Sequence, residues 1–334
     1  AIFPKESRAP QNEGRPRAAR LELDAALAHL RGGTDRGRII KALERGHARA
    51  PTAPLVDVRI AEELARLYDA EGRHADALRA RKASLKSLGD EPREELVALR
   101  AIAAIRRRQG DAQELVSALH QQVDRAAAMF DADELKEIFR ELGKVYGEQL
   151  SQPYDAADAW RKLLEVGPDF EAMNALEAIY RGQEQWTDVI DVKMQRAAAL
   201  EDPAQKIEEY RQVAELWRET VQEPDKATLA WQKILEVDTA HDEAFLQLEK
   251  LHTAAGRWEP LIELYLGRLD TRSATSDRTD LLRRIAKVFE EKLDDKNQAL
   301  DALINALGED FHDRETARYL ERMAQATGRW GEVI

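Results

Sequence analysis

The feature that most constrains this 334-residue chain is a pattern that returns every 71 or 72 residues. Trp186, Trp258 and Trp330 are spaced by 72 and 72. Tyr146, Trp217 and Phe289 are spaced by 71 and 72, and so are Trp160, Trp231 and Leu303. Three independent series with one period require a structural unit that is copied along the chain. Each period holds four helical patterns, so the elementary unit is a hairpin of about 36 residues.

One period shows the logic. In Ala204–Val221, the residues Ile207, Tyr210, Val213, Ala214, Trp217 and Val221 recur at three-and-four spacing and form one apolar stripe. Pro224 stands at the start of the next helix, where its missing N–H costs nothing. Ala227, Ala230, Trp231, Ile234 and Leu235 give that helix its buried face. Asp238 and Thr239 break the pattern, His241–Ala255 reads as a third helix, and Gly256 ends it in a left-handed cap. Glu259-Pro260 opens the fourth. Further back, hairpins are predicted over Val145–Leu150 with Ala156–Val166, over Leu96–Arg108 with Gln113–Met129 around Gly110, and over Ile60–Glu71 with Ala75–Leu88 around Gly72. Residues 17–54 read as degenerate capping helices, and residues 1–16 as irregular. Helices this short cannot bury their faces alone and need stacked neighbours.

Nothing reads as a strand: there is no β-branched run in alternation and no Asn-Gly or Asp-Gly turn. The fold class is all-α, a right-handed α-solenoid with a 72-residue double repeat over residues 55–334. Trp330 lies four residues before the last residue, whereas Trp186 and Trp258 open full helices, so the last repeat is expected to be incomplete and the chain to be part of a longer one.

These residues resemble the tetratricopeptide repeat. Leu142-Gly143, Val213-Ala214 and Ile285-Ala286 match its large-then-small pair, and Tyr146, Trp217 and Phe289 its aromatic. Ala156 with Trp160, and Ala227 with Trp231, match its second helix, and Pro168 its closing proline. The alternate hairpins depart from it, with Glu177, Glu249 and Glu321 in place of the small residue. The resemblance implies a concave surface lined by the first helix of each hairpin, on which a peptide or partner protein binds. Aligned on the repeat, the residues lining it are Asn174, Arg211, Glu215, Arg218, Lys250, Arg283 and Lys287. Glu177, Glu249 and Glu321 are expected to pair with neighbouring Lys or Arg, and the six tryptophans to fill the core between helices.

The residue patterns that carry catalytic or metal chemistry do not occur in the sequence. Cysteine is absent, which excludes disulfides, thiolate metal sites and cysteine nucleophiles. The seven histidines never take the HExxH spacing; His241 and His252 lie eleven apart in one predicted helix, about 16 Å, too far to share a metal. His74 takes the position of Trp186 and Trp258 and reads as a packing residue, and His252 and His312 read as helix-face residues. No phosphate-binding glycine motif or nucleophile elbow occurs, and the paired carboxylates read as solvated faces. The expectation is a protein that is not an enzyme and carries no catalytic, cofactor or metal site.

Net charge is −12, unevenly spread. Residues 1–108 hold 23 Lys+Arg against 16 Asp+Glu, and residues 109–334 hold 28 against 47. So long an acidic body repels phosphate, and no nucleic-acid partner is expected. The opposite signs of the two parts leave a second reading open: a spacer or assembly element that contacts its neighbours, or further copies of itself head to tail, through its ends. No membrane span and no apolar segment of signal length is found. A cytoplasmic location fits, with a periplasmic one left open if the N-terminus is processed. Heavy use of Ala and Arg is what a bacterial genome rich in G and C produces.

Overall fold

The computed structural model describes residues 14–31, 35–49, 54–87 and 92–332. Among them there are seventeen α-helices and no strand. They run as consecutive hairpins: α1 (Gly14–Arg31) with α2 (Arg36–Arg49), α3 (Pro54–Ala70) with α4 (His74–Ser87), α5 (Pro92–Gln109) with α6 (Ala112–Ala128), and α7 (Ala132–Lys144) with α8 (Pro153–Val166). Next come α9 (Phe170–Gly182) with α10 (Trp186–Ala199), α11 (Pro203–Glu215) with α12 (Ala227–Val237), α13 (Asp242–Ala255) with α14 (Trp258–Leu269), α15 (Thr275–Glu291) with α16 (Lys296–Glu309), and α17 (Arg314–Thr327). The segment expected to be irregular lies outside the described residues up to position 13, and the backbone is already helical at Gly14.

The chain divides into two compact units, Ala1–Ala175 and Leu176–Ile334. In the first, Ile39 and Leu43 of α2, Ile60 and Leu64 of α3, Leu99 and Ile102 of α5, Leu115 and Leu119 of α6, and Leu142 of α7 are buried, each at its three-or-four spacing. Gly143 lies against the indole of Trp160, so closely that a Cβ there would overlap the ring. In the second unit, one core joins Tyr210, Val213 and Ala214 of α11 to Trp231 and Ile234 of α12 and Leu248 of α13. Another joins Leu261 and Tyr265 of α14, Ile285 and Ala286 of α15, Leu300 and Leu303 of α16, and Leu320 and Met323 of α17.

The hairpin read as starting at Val145 starts thirteen residues earlier, at Ala132. Its first turns, ADELKEIF, look polar, yet Ile138, Phe139 and Leu142 face inward, and the Asp131 carboxylate caps the helix by accepting from the Glu134 N–H. Val145–Gln149 is then the wide last turn of that helix, in the i→i+5 form, and Leu216–Thr220 ends α11 in the same way. After this turn the N–H groups of Gln152, Glu223 and Asp295 donate to the carbonyls of Tyr146, Trp217 and Phe289, each at 2.8 Å. The residues just before those donors, Ser151, Gln222 and Asp294, all adopt positive φ, at 54°, 62° and 52°. The aromatic series thus marks a conserved way of turning the chain within each copy of the repeat, as well as a packing position.

Candidate functional site

Asn174 is exposed on α9 in the first unit, and the other six residues expected to meet a partner lie in the second. Most of these are already engaged. Arg211 is held by Glu208 at 2.8 Å and by Glu215 at 3.3 Å, so two of the expected contacts bond each other. Arg218 pairs with Glu219 at 2.6 Å. Arg283 reaches Glu315 at 2.5 Å and Asp313 at 3.4 Å on α17. Lys250 is exposed with no partner among the described residues, and Lys287 has only Glu291, at 4.0 Å.

Two of the recurring glutamates are structural. Glu177 receives Arg181 at 2.9 Å, Arg196 at 2.6 Å and Lys193 at 3.3 Å. Lys193 and Arg196 also reach Glu209 of α11, at 3.2 and 2.9 Å, and Lys193 donates to the Gln212 side chain at 2.7 Å. Burial alone would raise the pKa of Glu177, but the hydrogen bonds from Arg181 and Arg196 and the charge of Lys193 hold it below the usual carboxylate range. Glu249 accepts from the Tyr265 hydroxyl at 2.6 Å and from Arg284 at 2.8 Å. Glu321 is exposed.

The tryptophans divide. Trp160 and Trp231 are buried as expected. Trp186, Trp217 and Trp258 are only half-buried, and Trp330 is exposed. Cations stand over several of these rings: Arg181 at 6.0 Å from Trp186, Lys226 at 4.8 Å from Trp217, and Lys292 at 5.2 Å from Trp258. Among the histidines, His74 bonds Asp69 at 2.8 Å. His241 caps α13 by accepting from the Ala244 N–H, and His252 is buried. His312 lies in the turn before α17, not on a helix face.

In the first unit the first helices of successive hairpins line two clefts. One, of about 600 Å³, is bounded by Arg20, Leu23, Asp24 and Leu27 of α1, by Val56, Val58, Arg59 and Glu62 of α3, and by Arg93, Glu94 and Val97 of α5. The other, of about 790 Å³, shares Arg93 and Val97 and continues to Arg100 and to Met129–Asp133 at the start of α7. Arg20, Arg59 and Arg93 are exposed and have no carboxylate partner among the described residues. Glu62 is drawn towards the buried Arg81, 3.7 Å away, and Arg100 bonds Glu134 at 2.8 Å. Phe130, at the rim of the second cleft, is 93 % exposed and has φ 55°. None of these residues was singled out in the sequence, because the repeat register is weakest in this part of the chain.

Among the described residues no group of three His, Asp or Glu side chains is placed to hold a metal ion, and no helix is long and apolar enough to cross a membrane. The geometry defines an all-α helical-repeat solenoid built of tetratricopeptide-like hairpins. Solved structures similar in fold include a tetratricopeptide repeat protein from Parabacteroides merdae, at 15% identity over 80% of this chain and 98% of that one, with a TM-score of 0.34. The PilF protein of Pseudomonas aeruginosa matches at 14% identity over 72% and 100%, with a TM-score of 0.32. The TPR2AB domain of yeast Sti1, solved in complex with pHSP90, matches at 14% identity over 80% and 96%, with a TM-score of 0.30. No family model and no curated protein matches the chain.

Proposed function

We propose that the chain is a non-enzymatic scaffold that holds a peptide or partner protein along the faces of its first helices. The observation that carries this reading is the cleft of about 600 Å³ where α1, α3 and α5 each contribute one exposed arginine without a carboxylate partner among the described residues: Arg20, Arg59 and Arg93. Most arginines of the described residues are held in internal ion pairs, and although Arg17, Arg36, Arg38, Arg314 and Arg318 are also without one, only Arg20, Arg59 and Arg93 among these line this cleft together. Asp24 and Glu94 line the same cleft, so it suits a segment of mixed charge. Phe130 supports the reading too: a phenylalanine ring almost wholly in water at the rim of a cleft is unfavourable unless a partner covers it. Lys250 and Lys287 remain candidate contacts in the second unit.

The test is affinity purification after crosslinking in the native cell, comparing the full chain with its R20E/R59E/R93E variant. All three residues are exposed, so circular dichroism should be unchanged. Loss of a partner is expected, and retention of every partner would overturn the reading. The opposite charges of residues 1–108 and 109–334 favour a second reading, an assembly element contacting neighbours through its ends. Such contacts weaken with salt, and light scattering that reports a monomer at both low and high salt would count against it. A cytoplasmic setting is part of the same proposal and rests on the lack of cysteine.

A further inference from the structure

The Trp258 hairpin carries a feature that its sister repeat lacks. A cavity of about 270 Å³ lies between α13, α14 and α15, with Trp258, Leu261 and Val288 as its apolar lining and Arg284, Lys287 and Lys292 among its polar residues. Its carboxylates are largely spoken for: Glu249 is bonded to the Tyr265 hydroxyl and to Arg284, and Glu291 lies 4.0 Å from Lys287. Lys292 has no carboxylate partner among the described residues and stands over the Trp258 ring.

One period earlier the residues around the ring differ in size and charge. Arg181, at the position of Thr253, reaches over Trp186 at 6.0 Å while its guanidinium is bonded to Glu177. Glu215 and Thr220 take the places of Lys287 and Lys292. Thr253 is short and exposed, so nothing from that position covers the second ring. Within an otherwise acidic stretch of chain, this repeat combines a half-buried aromatic wall with two exposed ammonium groups, Lys292 without a carboxylate partner among the described residues and Lys287 with only Glu291, at 4.0 Å.

We propose that this cavity is a docking pocket for an acidic segment of a partner protein that presents one large apolar side chain. The volume falls just below the range of about 300–1,000 Å³ usual for small-molecule sites and suits a single side chain against Trp258. Lys287 and Lys292 at the mouth select carboxylates on either side of it. The proposal rests on the scaffold reading and gives it a ligand chemistry in the second unit.

The experiment uses the full chain with ¹⁵N-labelled tryptophan indoles. The probe is a ten-residue peptide, acetylated and amidated, with one phenylalanine flanked by aspartates. The Trp258 signal, identified with W258F, should shift on titration, while those of the buried Trp160 and Trp231 stay put. A peptide with lysines for the aspartates, or alanine for the phenylalanine, should leave it unmoved. K287E/K292E should weaken binding at least tenfold. T253R is the sharper variant: it adds a positive charge yet restores the cover seen over Trp186, and should also weaken binding tenfold. A Trp258 signal unmoved at millimolar peptide, or T253R binding as well as the parent, would overturn the proposal. Such a failure would leave the scaffold reading intact, since that one stands or falls on partners lost with R20E/R59E/R93E.

Discussion

At the residue scale, Gly143 takes the register of Ala214 and Ala286, and the Trp160 indole lies so close to it that there is no room for a methyl group. Alanine there gains about 0.8–1 kcal/mol of helix propensity and meets an overpacking penalty of about 1–3 kcal/mol, at the high end because the Trp160 ring is rigid. We expect Gly143→Ala to lose about 1–2 kcal/mol net in a denaturant titration. His47 offers a pH test. Its Nδ1 lies 2.5 Å from Asp57, and the hydrogen bond to that carboxylate raises the His47 pKa while burial opposes it. A raised folded pKa means that the pair stabilises fully below the ordinary value of 6.5 and that this contribution is lost as pH rises through the folded value. Hydrogen exchange of α2 amides, corrected for its intrinsic pH dependence, should therefore show weaker protection at about pH 8 than at about pH 6. His47→Gln should flatten that difference.

At the element scale, the turns between helices make the repeat testable against itself. Glu184, Gly256 and Gly328 occupy equivalent positions, with φ of 55°, 65° and 75°. Only glycine adopts this conformation freely, and an L-residue meets a penalty of about 1–2 kcal/mol. Glu184→Gly should therefore raise stability by about 1 kcal/mol and Gly256→Ala lower it by a similar amount, read from denaturant midpoints. The ionic cluster across α9, α10 and α11 behaves differently from surface pairs. Lys193 is 2 % exposed and bridges Glu177 and Glu209. Lys193→Met keeps the apolar stem but removes the more deeply buried of the two cations shared by both carboxylates, and should cost about 3 kcal/mol. A loss below 1 kcal/mol would show that Arg181 and Arg196 suffice.

At the scale of the molecule, the hairpin array was legible because its signals are periodic. Trp217 and Trp231, Pro224 and Gly256 each repeat a role played elsewhere in the chain, and the helices fall where those residues put them. The first half of α7 was missed because its apolar residues, Ile138 and Phe139, are separated by charges that the Asp131 cap organises. The site was less legible. The expected contacts were placed by register, which says where a side chain points but not what already holds it; Arg211 and Arg283 have the right phase and are tied to carboxylates of their own unit. The clefts around Arg93 and Trp258 depend on pairings that are not made, an ion pair to Arg20, Arg59 or Arg93 in one case and an arginine over the ring in the other, and no single-residue pattern reports an absence.

The proposal that a partner binds along the first-helix faces can be tested without knowing the partner. A photo-crosslinking amino acid placed at Val97, in the wall shared by both clefts, is compared in the native cell with one at Ser117, exposed on α6. The account predicts a discrete protein adduct from position 97 that is lost with R20E/R59E/R93E, and none of that size from position 117. No adduct at 97, or the same adduct from both positions, would contradict it.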